Sequence, residues 1–173
     1  MTLLQIIVLL VALQRLGELL YAARNTRLLL QQGGREFGAG HYPLLVLLHG
    51  GWLLTLLIAV PASTTANWWL LALFALLQVG RIWVIASLGR FWTTRIITLP
   101  EAPLVRRGPY RVLRHPNYLI VALEIPLLPL AFGAWQIALA FALANLALLA
   151  WRIHVEERAL APRRNSTTLV FPK

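Results

Sequence analysis

Residues 118–153, YLIVALEIPLLPLAFGAWQIALAFALANLALLAWRI, are predominantly apolar, and Gly133 separates them into two runs. A helix needs roughly 17–25 apolar residues to cross the hydrocarbon core of a bilayer, because its backbone N–H and C=O groups must be satisfied within the segment. Residues 118–132 and 134–153 are two runs of about this length joined by a very short break. They predict an antiparallel hairpin of two membrane helices.

Three further apolar runs lie upstream, at residues 2–23, 43–60 and 67–88. Hydrophobic residues make up 59% of the chain and charged residues 13%, which is far more apolar than an ordinary soluble domain. We therefore predict an all-α, polytopic integral membrane protein with about five transmembrane helices. The first run could instead be a cleaved signal peptide, but it lacks a basic start and has Arg15, Glu18 and Tyr21 in its second half.

The chain has 16 Lys and Arg residues against 6 Asp and Glu, a formal net charge of +10. In a soluble protein this excess would suggest a nucleic-acid partner. Here, apart from Arg15 and Arg81 inside predicted helices, the basic residues lie between positions 24 and 35, between 90 and 114, and from 152 onward. The positive-inside rule then predicts an N-terminus outside the cell and a cytoplasmic C-terminus. No nucleic-acid partner is expected.

The loop at residues 89–117 interleaves arginines with aromatic and aliphatic residues, so we expect it to be ordered and packed. We expect one domain over residues 1–173. It would comprise N-terminal helices in 1–66, the helices and cytoplasmic loop of the site in 67–160, and a short tail in 161–173. The chain has no cysteine and its four histidines are scattered, so no metal site is expected.

Ionisable side chains inside predicted membrane helices cost several kcal/mol unless they are paired or hydrated. Arg15 and Glu18 are three residues apart and can form a local ion pair. Arg81 and Glu124 could pair as a brace or line a polar pocket, and the sequence leaves both open. We expect His49 to be a hydrogen-bonded packing residue rather than a base.

The strongest local signal precedes and follows the predicted hairpin. Because a hairpin brings its two ends together, we expect the two flanking segments to converge at its base. Arginine and histidine beside a helix start can hold a carboxylate, and paired glutamates can hold an ammonium group and offset a sulfonium. The pattern therefore suits a zwitterionic cofactor, although a basic belt gripping anionic lipid is the alternative. The segments are Gly108-Pro109-Tyr110-Arg111-Val112-Leu113-Arg114-His115-Pro116-Asn117-Tyr118 and Arg152-Ile153-His154-Val155-Glu156-Glu157-Arg158-Ala159-Leu160.

This ordered pair of segments resembles the isoprenylcysteine carboxyl methyltransferase and phospholipid methyltransferase family. The resemblance is best over residues 88–160. The N-terminal half, with Arg15-x-x-Glu18, Arg24-Asn25 and His41-Tyr42-Pro43, is similar to a bacterial branch often associated with type III polyketide synthases, which implies a bacterial inner membrane. It implies S-adenosylmethionine as the cofactor. It also implies that Gly108 and Tyr110 shape the approach to the cofactor, which the following residues enclose: Arg114, His115, Pro116, Tyr118, Glu156 and Glu157.

The resemblance further implies methyl transfer to a carboxylate or hydroxyl of a lipophilic acceptor, either isoprenylcysteine-like or polyketide-lipid-like. Arg152 and Glu156, four residues apart on one helical face, are the predicted catalytic pair. A carboxylate acceptor needs no base, whereas a phenol or enol would need one, for which His115 and His154 are candidates. A phospholipid amine or thiol methyltransferase remains open, as does a non-enzymatic transporter or lipid-binding subunit.

Two features depart from the family pattern. Ile120 stands where many members have glycine, which predicts a narrower contact with the cofactor. Residues 158–173 replace the family's longer aromatic and basic tail, so the residues on the acceptor side are left unassigned. Membrane lipid is an expected partner, and the oligomeric state is open.

Overall fold

The protein is described here by a computed structural model that covers residues 1–100 and 102–169, with the backbone alone for 162–169. Five α-helices account for most of this part of the chain, which confirms the all-α membrane fold. Two short strands form a small sheet. The elements are α1 (Leu3–Gln31), β1 (Arg35–Phe37), α2 (Tyr42–Ala59), α3 (Trp68–Leu88), β2 (Ile96–Thr98), α4 (Pro116–Ala131) and α5 (Trp135–Leu169).

Helices α1, α2, α3 and α5 are each long and apolar enough to cross a membrane. Their outward faces expose large apolar side chains, among them Leu10, Ile58 and Trp69, as expected of surfaces that contact lipid. Helix α4 has 16 residues and is therefore about 24 Å long, shorter than a hydrocarbon core of about 30 Å. It packs between α3 and α5, and half of its residues are buried.

The predicted hairpin is confirmed. Helix α4 ends at Ala131 and α5 begins at Trp135. Between them Gly133 has a φ of +69°, which favours glycine, and its N–H donates to the Leu130 carbonyl at 3.0 Å. The start of α4 therefore lies beside residues 152–157 of α5, which form the base of the hairpin next to the long loop.

Two helix ends differ from the predictions. Helix α1 begins with a capping box between Thr2 and Gln5 and continues to Gln31, past the predicted end at residue 23. Helix α5 continues to Leu169, past the predicted end at residue 153. The apolar runs predict only the apolar part of each helix, whereas residues 24–31 and 154–161 are mostly good helix formers that continue the helices beyond it.

Residues 161–169 of the predicted tail continue α5. Residues 170–173 lie outside the described residues. Within the extension Ala159 is buried, so this part of α5 packs against the rest of the protein.

In the described residues of the long loop, 89–100 and 102–117, several apolar side chains are packed, as predicted. Trp92 and Ile96 are buried, and Asn25 of α1 donates from Nδ2 to the backbone carbonyls of Gly89 and Trp92 at 3.1 and 2.9 Å. Strand β2 pairs antiparallel with β1, with Phe37 opposite Ile96. These three-residue strands were not predicted, because so short a segment has no periodicity to detect. Val112 is an exception to the packing, since it is 87% exposed.

The helices enclose two apolar clusters. The larger one includes Val11 of α1 and Phe74 of α3, and the smaller one includes Ala22 and Val84 of the same two helices. Arg15 and Glu18 of α1 and Arg81 of α3 lie between these positions in the sequence. Buried charges therefore form a layer between the two apolar clusters.

Candidate functional site

The base of the α4–α5 hairpin joins a cation, a hydroxyl and a carboxylate. Arg152 and Glu156 lie one helical turn apart on α5, and Tyr118 lies in the first turn of α4. Arg152 Nε–H donates to the Tyr118 hydroxyl at 2.9 Å, and that hydroxyl donates to Glu156 Oε2. The predicted convergence of the two segments is confirmed.

His115 lies immediately before α4, because Pro116 has the fixed φ that suits the first helical residue. Its Nε2 lies 2.7 Å from Glu157 Oε1, and its Nδ1 lies 3.8 Å from Glu156 Oε1. The imidazole also stacks on the Tyr118 ring, with centroids 5.3 Å apart and planes 17° apart. One histidine thus touches both paired glutamates.

A cavity of about 480 Å³ opens between the long loop and the hairpin base. Its volume is in the range of roughly 300–1,000 Å³ that ligand pockets occupy. Leu29, Trp92 and Leu160 are among the apolar residues around it. This cavity is the larger of two described here and is called the larger cavity below. Six of the predicted site residues line it: Tyr110, Arg114, His115, Tyr118, Arg152 and Glu156.

The other three predicted residues act on neighbours of the larger cavity rather than lining it. Gly108 has a φ of +56°, and a Cβ there would collide with the Ser87 side chain, so only glycine allows the loop to pack on the end of α3. Pro116 begins α4, and Glu157 holds His115. Their places in the structure are compatible with supporting the site from outside the cavity.

The larger cavity offers both signs of charge. Arg114 lines it and has no hydrogen-bond or ion-pair partner among the side chains described in residues 1–100 and 102–161, whereas Glu156 provides a carboxylate. Burial, and then the nearby Glu156 carboxylate, raise the pKa of the Tyr110 phenol, so this hydroxyl stays neutral. Trp92, Tyr110 and Tyr118 add aromatic faces that attract cations. Such a set can hold a zwitterionic molecule that also has a positive centre.

A smaller cavity of about 130 Å³ lies deeper among the helices. Helix α2 contributes Tyr42, Leu45 and His49 to its wall. Five residues line both cavities, so they mark the junction between the two: Trp92, Thr93, Asn117, Tyr118 and Arg152. The predicted catalytic Arg152 therefore faces both the loop side and the membrane side.

The intramembrane charges form one network. Arg15 donates to Glu18 at 3.0 Å and to Glu124 at 2.7 Å, and Arg81 donates to Glu18 at 2.6 Å. Gln78 Nε2 donates to Glu124 Oε1 at 2.8 Å. The two alternatives for Arg81 both hold, because it pairs with acidic residues and also lines the smaller cavity together with Arg15 and Glu18. The network ties α1, α3 and α4 together.

His49 has the hydrogen bond predicted for a packing residue, since its Nδ1 lies 2.8 Å from the Leu45 carbonyl of the preceding turn, and it also lines the smaller cavity. Two expectations near the site are wrong. Ile120 lines neither cavity but packs with Ala22 and Val84 in the smaller apolar cluster, so it does not narrow a cofactor contact. His154 is exposed on α5 and lines neither cavity, which removes it as a candidate base.

His41, Thr94 and Asn117 were not predicted, although each contacts or lines the site. His41 and Thr94 meet Arg152 across 111 and 58 residues of sequence. No local spacing signals contacts over such separations. His41-Tyr42-Pro43, one of the similarities to the bacterial branch, was the only available signal.

A sequence model of the isoprenylcysteine carboxyl methyltransferase family matches residues 70–162, which is more than half of the chain and includes the entire hairpin base. The chain belongs to this family. Its membership and its apolar helices make it an integral membrane protein of a methyltransferase family.

Two bacterial relatives extend the similarity beyond the matched segment. The "uncharacterized protein YpbQ" of Bacillus subtilis (strain 168) is 37% identical over 151 residues, which cover 85% of this chain and 90% of that protein. An "uncharacterized protein" of Haemophilus influenzae (strain ATCC 51907 / DSM 11121 / KW20 / Rd) is 28% identical over 154 residues, 85% of this chain and 88% of that one. No solved structure matches the chain significantly.

Proposed function

We propose that the protein is an S-adenosylmethionine-dependent methyltransferase of the membrane, and that it methylates a carboxylate or hydroxyl oxygen of a lipophilic acceptor. The observation behind this proposal is the junction of the two cavities. There Arg152, Tyr118 and Glu156 form a continuous hydrogen-bonded row between a cavity beside the polar loop and a cavity among the helices.

The residues of the larger cavity fit the proposed cofactor. Arg114, free of protein partners within residues 1–100 and 102–161, can hold a carboxylate, and Glu156 can hold an ammonium group or face a sulfonium. Trp92 and Tyr110 offer aromatic faces to a cation and to a heterocyclic ring. When bound, S-adenosylmethionine would supply a methyl group on a positively charged sulfur.

The acceptor side is proposed to be the smaller cavity, which at about 130 Å³ can hold only the reacting end of a lipophilic molecule. A lipophilic molecule could reach it laterally from the membrane, while a water-soluble donor reaches the larger cavity from the loop side. Arg152 would orient the acceptor oxygen at the junction, because a guanidinium has five N–H donors and its three described contacts leave two free. Positioning two molecules in a water-poor site can supply much of a rate enhancement.

The acceptor type decides whether a base is needed. A carboxylate is already ionised at neutral pH, whereas a phenolic or enolic hydroxyl must lose a proton. His115 is the proposed base for the second case, since it lines the larger cavity and Glu157 holds its ring. Its other contacts, to Glu156 and Tyr118, keep it beside the junction.

Location and partners belong to the same proposal. We place the protein in a bacterial inner membrane with the N-terminus outside and the C-terminus in the cytoplasm, because the arginines concentrate on the side of the long loop. The acceptor and membrane lipid would be its partners, and nucleic acid would not.

The test is transfer of tritium-labelled methyl groups from S-adenosylmethionine by protein reconstituted in nanodiscs. N-acetyl-S-farnesylcysteine, a long-chain alkylresorcinol and phosphatidylethanolamine would be offered separately. We expect label in one of the first two, and its loss in Arg152→Leu but not in Arg158→Ala, which alters an exposed arginine of the same helix. Equal labelling by wild type and Arg152→Leu would contradict the proposal, and label in phosphatidylethanolamine alone would replace its acceptor class.

A further inference from the structure

His41 contacts the proposed catalytic arginine from outside the segment that the family model matches. It ends a short 3-10 turn, Ala39–His41, directly before α2. The residue is 2% exposed, and its ring lies 5.6 Å from the Trp151 ring. Its Nε2 lies 3.4 Å from Arg152 Nη1, yet His41 lines neither cavity. Any effect on the reaction must therefore pass through Arg152.

The contact between His41 and Arg152 determines the protonation state of the His41 imidazole. A guanidinium has donors and no acceptor, so His41 Nε2 can only accept the hydrogen bond. That requires a neutral imidazole with its proton on Nδ1. His41 Nδ1 is buried and has no hydrogen-bond partner within the described residues. A phenylalanine would fill the same space without an unsatisfied buried donor, so packing alone does not explain a histidine here.

The backbone is shaped around this ring. Gly38 has a φ of +62°, and a Cβ at this position would lie 2.8 Å from His41 Nδ1 and 2.7 Å from Val155 Cγ1. Both distances are too short for a real Cβ, so glycine is needed for the chain between β1 and the 3-10 turn to pass this close to the imidazole and α5. His41 is consequently held against α5 rather than free to rotate away from it.

The three nitrogens of the Arg152 guanidinium each have a partner from a different element. Nε donates to the Tyr118 hydroxyl of α4 at 2.9 Å, Nη2 donates to the Thr94 carbonyl before β2 at 2.8 Å, and Nη1 faces His41 before α2. Three partners fix the plane of the group, whereas two leave it free to tilt about the line that joins them. His41 is the only one of the three that approaches from the α2 side.

We propose that His41 is a positioning residue of the transferase. As a neutral acceptor it fixes the plane of Arg152, so that the two free N–H groups point at the acceptor oxygen at the junction of the cavities. The inference rests on the proposed function and adds a residue from the N-terminal half of the chain to the proposed active site. Misplacing a positioning group by about 1 Å can cost about 100-fold in rate, so losing this contact should lower kcat about 10–100-fold. The affinity for S-adenosylmethionine should stay unchanged.

The test compares His41→Phe, which keeps a ring but no acceptor, with His41→Gln, which keeps an uncharged acceptor. With whichever of N-acetyl-S-farnesylcysteine and alkylresorcinol the wild type methylates, we expect His41→Phe to lose about 10–100-fold in kcat. S-adenosylmethionine binding, measured by calorimetry, should stay within about twofold of wild type, a change of well under 1 kcal/mol. His41→Gln should recover part of the lost kcat. Wild-type kcat in His41→Phe, or no recovery in His41→Gln, would overturn the inference.

The contact between His41 and Arg152 can also be tested by NMR, without bound cofactor and without measuring activity. The Arg152 Nε–H signal in a ¹⁵N NMR spectrum, assigned by its loss in Arg152→Lys, should shift in His41→Phe and return towards wild type in His41→Gln. An identical signal in wild type and His41→Phe would overturn the inference whatever the activity. Failure of folded wild type to bind S-adenosylmethionine would instead refute the proposed function, because the NMR comparison does not depend on it.

Discussion

The Tyr118 hydroxyl bridges Arg152 and Glu156, and its ring stacks on His115. Tyr118→Phe keeps the stacked ring and removes only the bridge. Hydrogen bonds to charged groups are worth about 1.5–3 kcal/mol, so we expect methyl transfer to fall at least about tenfold in single-turnover measurements. Tyr21→Phe, on an exposed face of α1, is the matched control and should have wild-type activity. Full activity in Tyr118→Phe would mean that the bridge is not used.

The raised pKa of Tyr110 predicts that the folded protein loses stability at high pH. Burial and the Glu156 carboxylate raise the pKa of its phenol above the unfolded value of about 10, so the folded state binds this proton more tightly. The resulting stability is fully present below pH 10 and is lost as the pH rises through the higher folded pKa. We expect the melting temperature of wild type to fall more steeply than that of Tyr110→Phe between pH 10 and 11.5. Parallel curves would contradict this.

The sequence predicted the residues of the hairpin base because their order and spacing place them at two ends that must meet. Six of those residues line the larger cavity. His41 and Thr94 could not be predicted in the same way, because their contacts with Arg152 depend on the packing of α2 and the long loop against α5. The effect of Ile120 was misjudged for a related reason, since its position on α4 does not reveal which neighbour it faces.

Among the elements, α1, α3 and α4 depend on the buried ion network. Arg81→Leu removes a partner of both Glu18 and Glu124, and breaking a buried pair in this way typically costs about 3–5 kcal/mol. The double variant Arg81→Leu/Glu124→Leu removes one positive and one negative charge, so the Arg15–Glu18 pair remains and no buried charge is left without a partner. We therefore expect thermal unfolding, followed by tryptophan fluorescence, to show the double variant more stable than Arg81→Leu alone. If the double variant lost as much stability as the sum of the losses in Arg81→Leu and Glu124→Leu, a coupled network would be contradicted.

The membrane parts of the helices were predictable because apolar runs report directly on contact with lipid and core. Their extensions were not, since α1 beyond residue 23 and α5 beyond residue 153 contain arginines and other polar residues that interrupt the apolar runs. The pairing of Arg15 with Glu124 was not predictable either, because it depends on how α1 and α4 are rotated relative to each other in the folded protein. Spacing within one helix predicted only the local Arg15–Glu18 pair.

At the scale of the whole molecule, the distribution of arginine predicts the orientation in the membrane. The chain has no cysteine, so single cysteines can be placed without removing others. In intact cells, a membrane-impermeant maleimide should label Ser63→Cys, in the exposed α2–α3 connection, but should label Arg111→Cys only after permeabilisation. The reverse pattern would place the larger cavity outside the cell and contradict access from the cytoplasm.

Binding of S-adenosylmethionine to the detergent-purified protein, measured by calorimetry, tests the central claim most directly. Glu156 lines the larger cavity, whereas its neighbour Glu157 touches His115 from outside it, so Glu156→Gln and Glu157→Gln form a matched pair. We predict saturable binding by wild type, weakened at least about tenfold by Glu156→Gln and less by Glu157→Gln. Absence of binding by folded wild type, or equal binding by wild type and Glu156→Gln, would contradict the account.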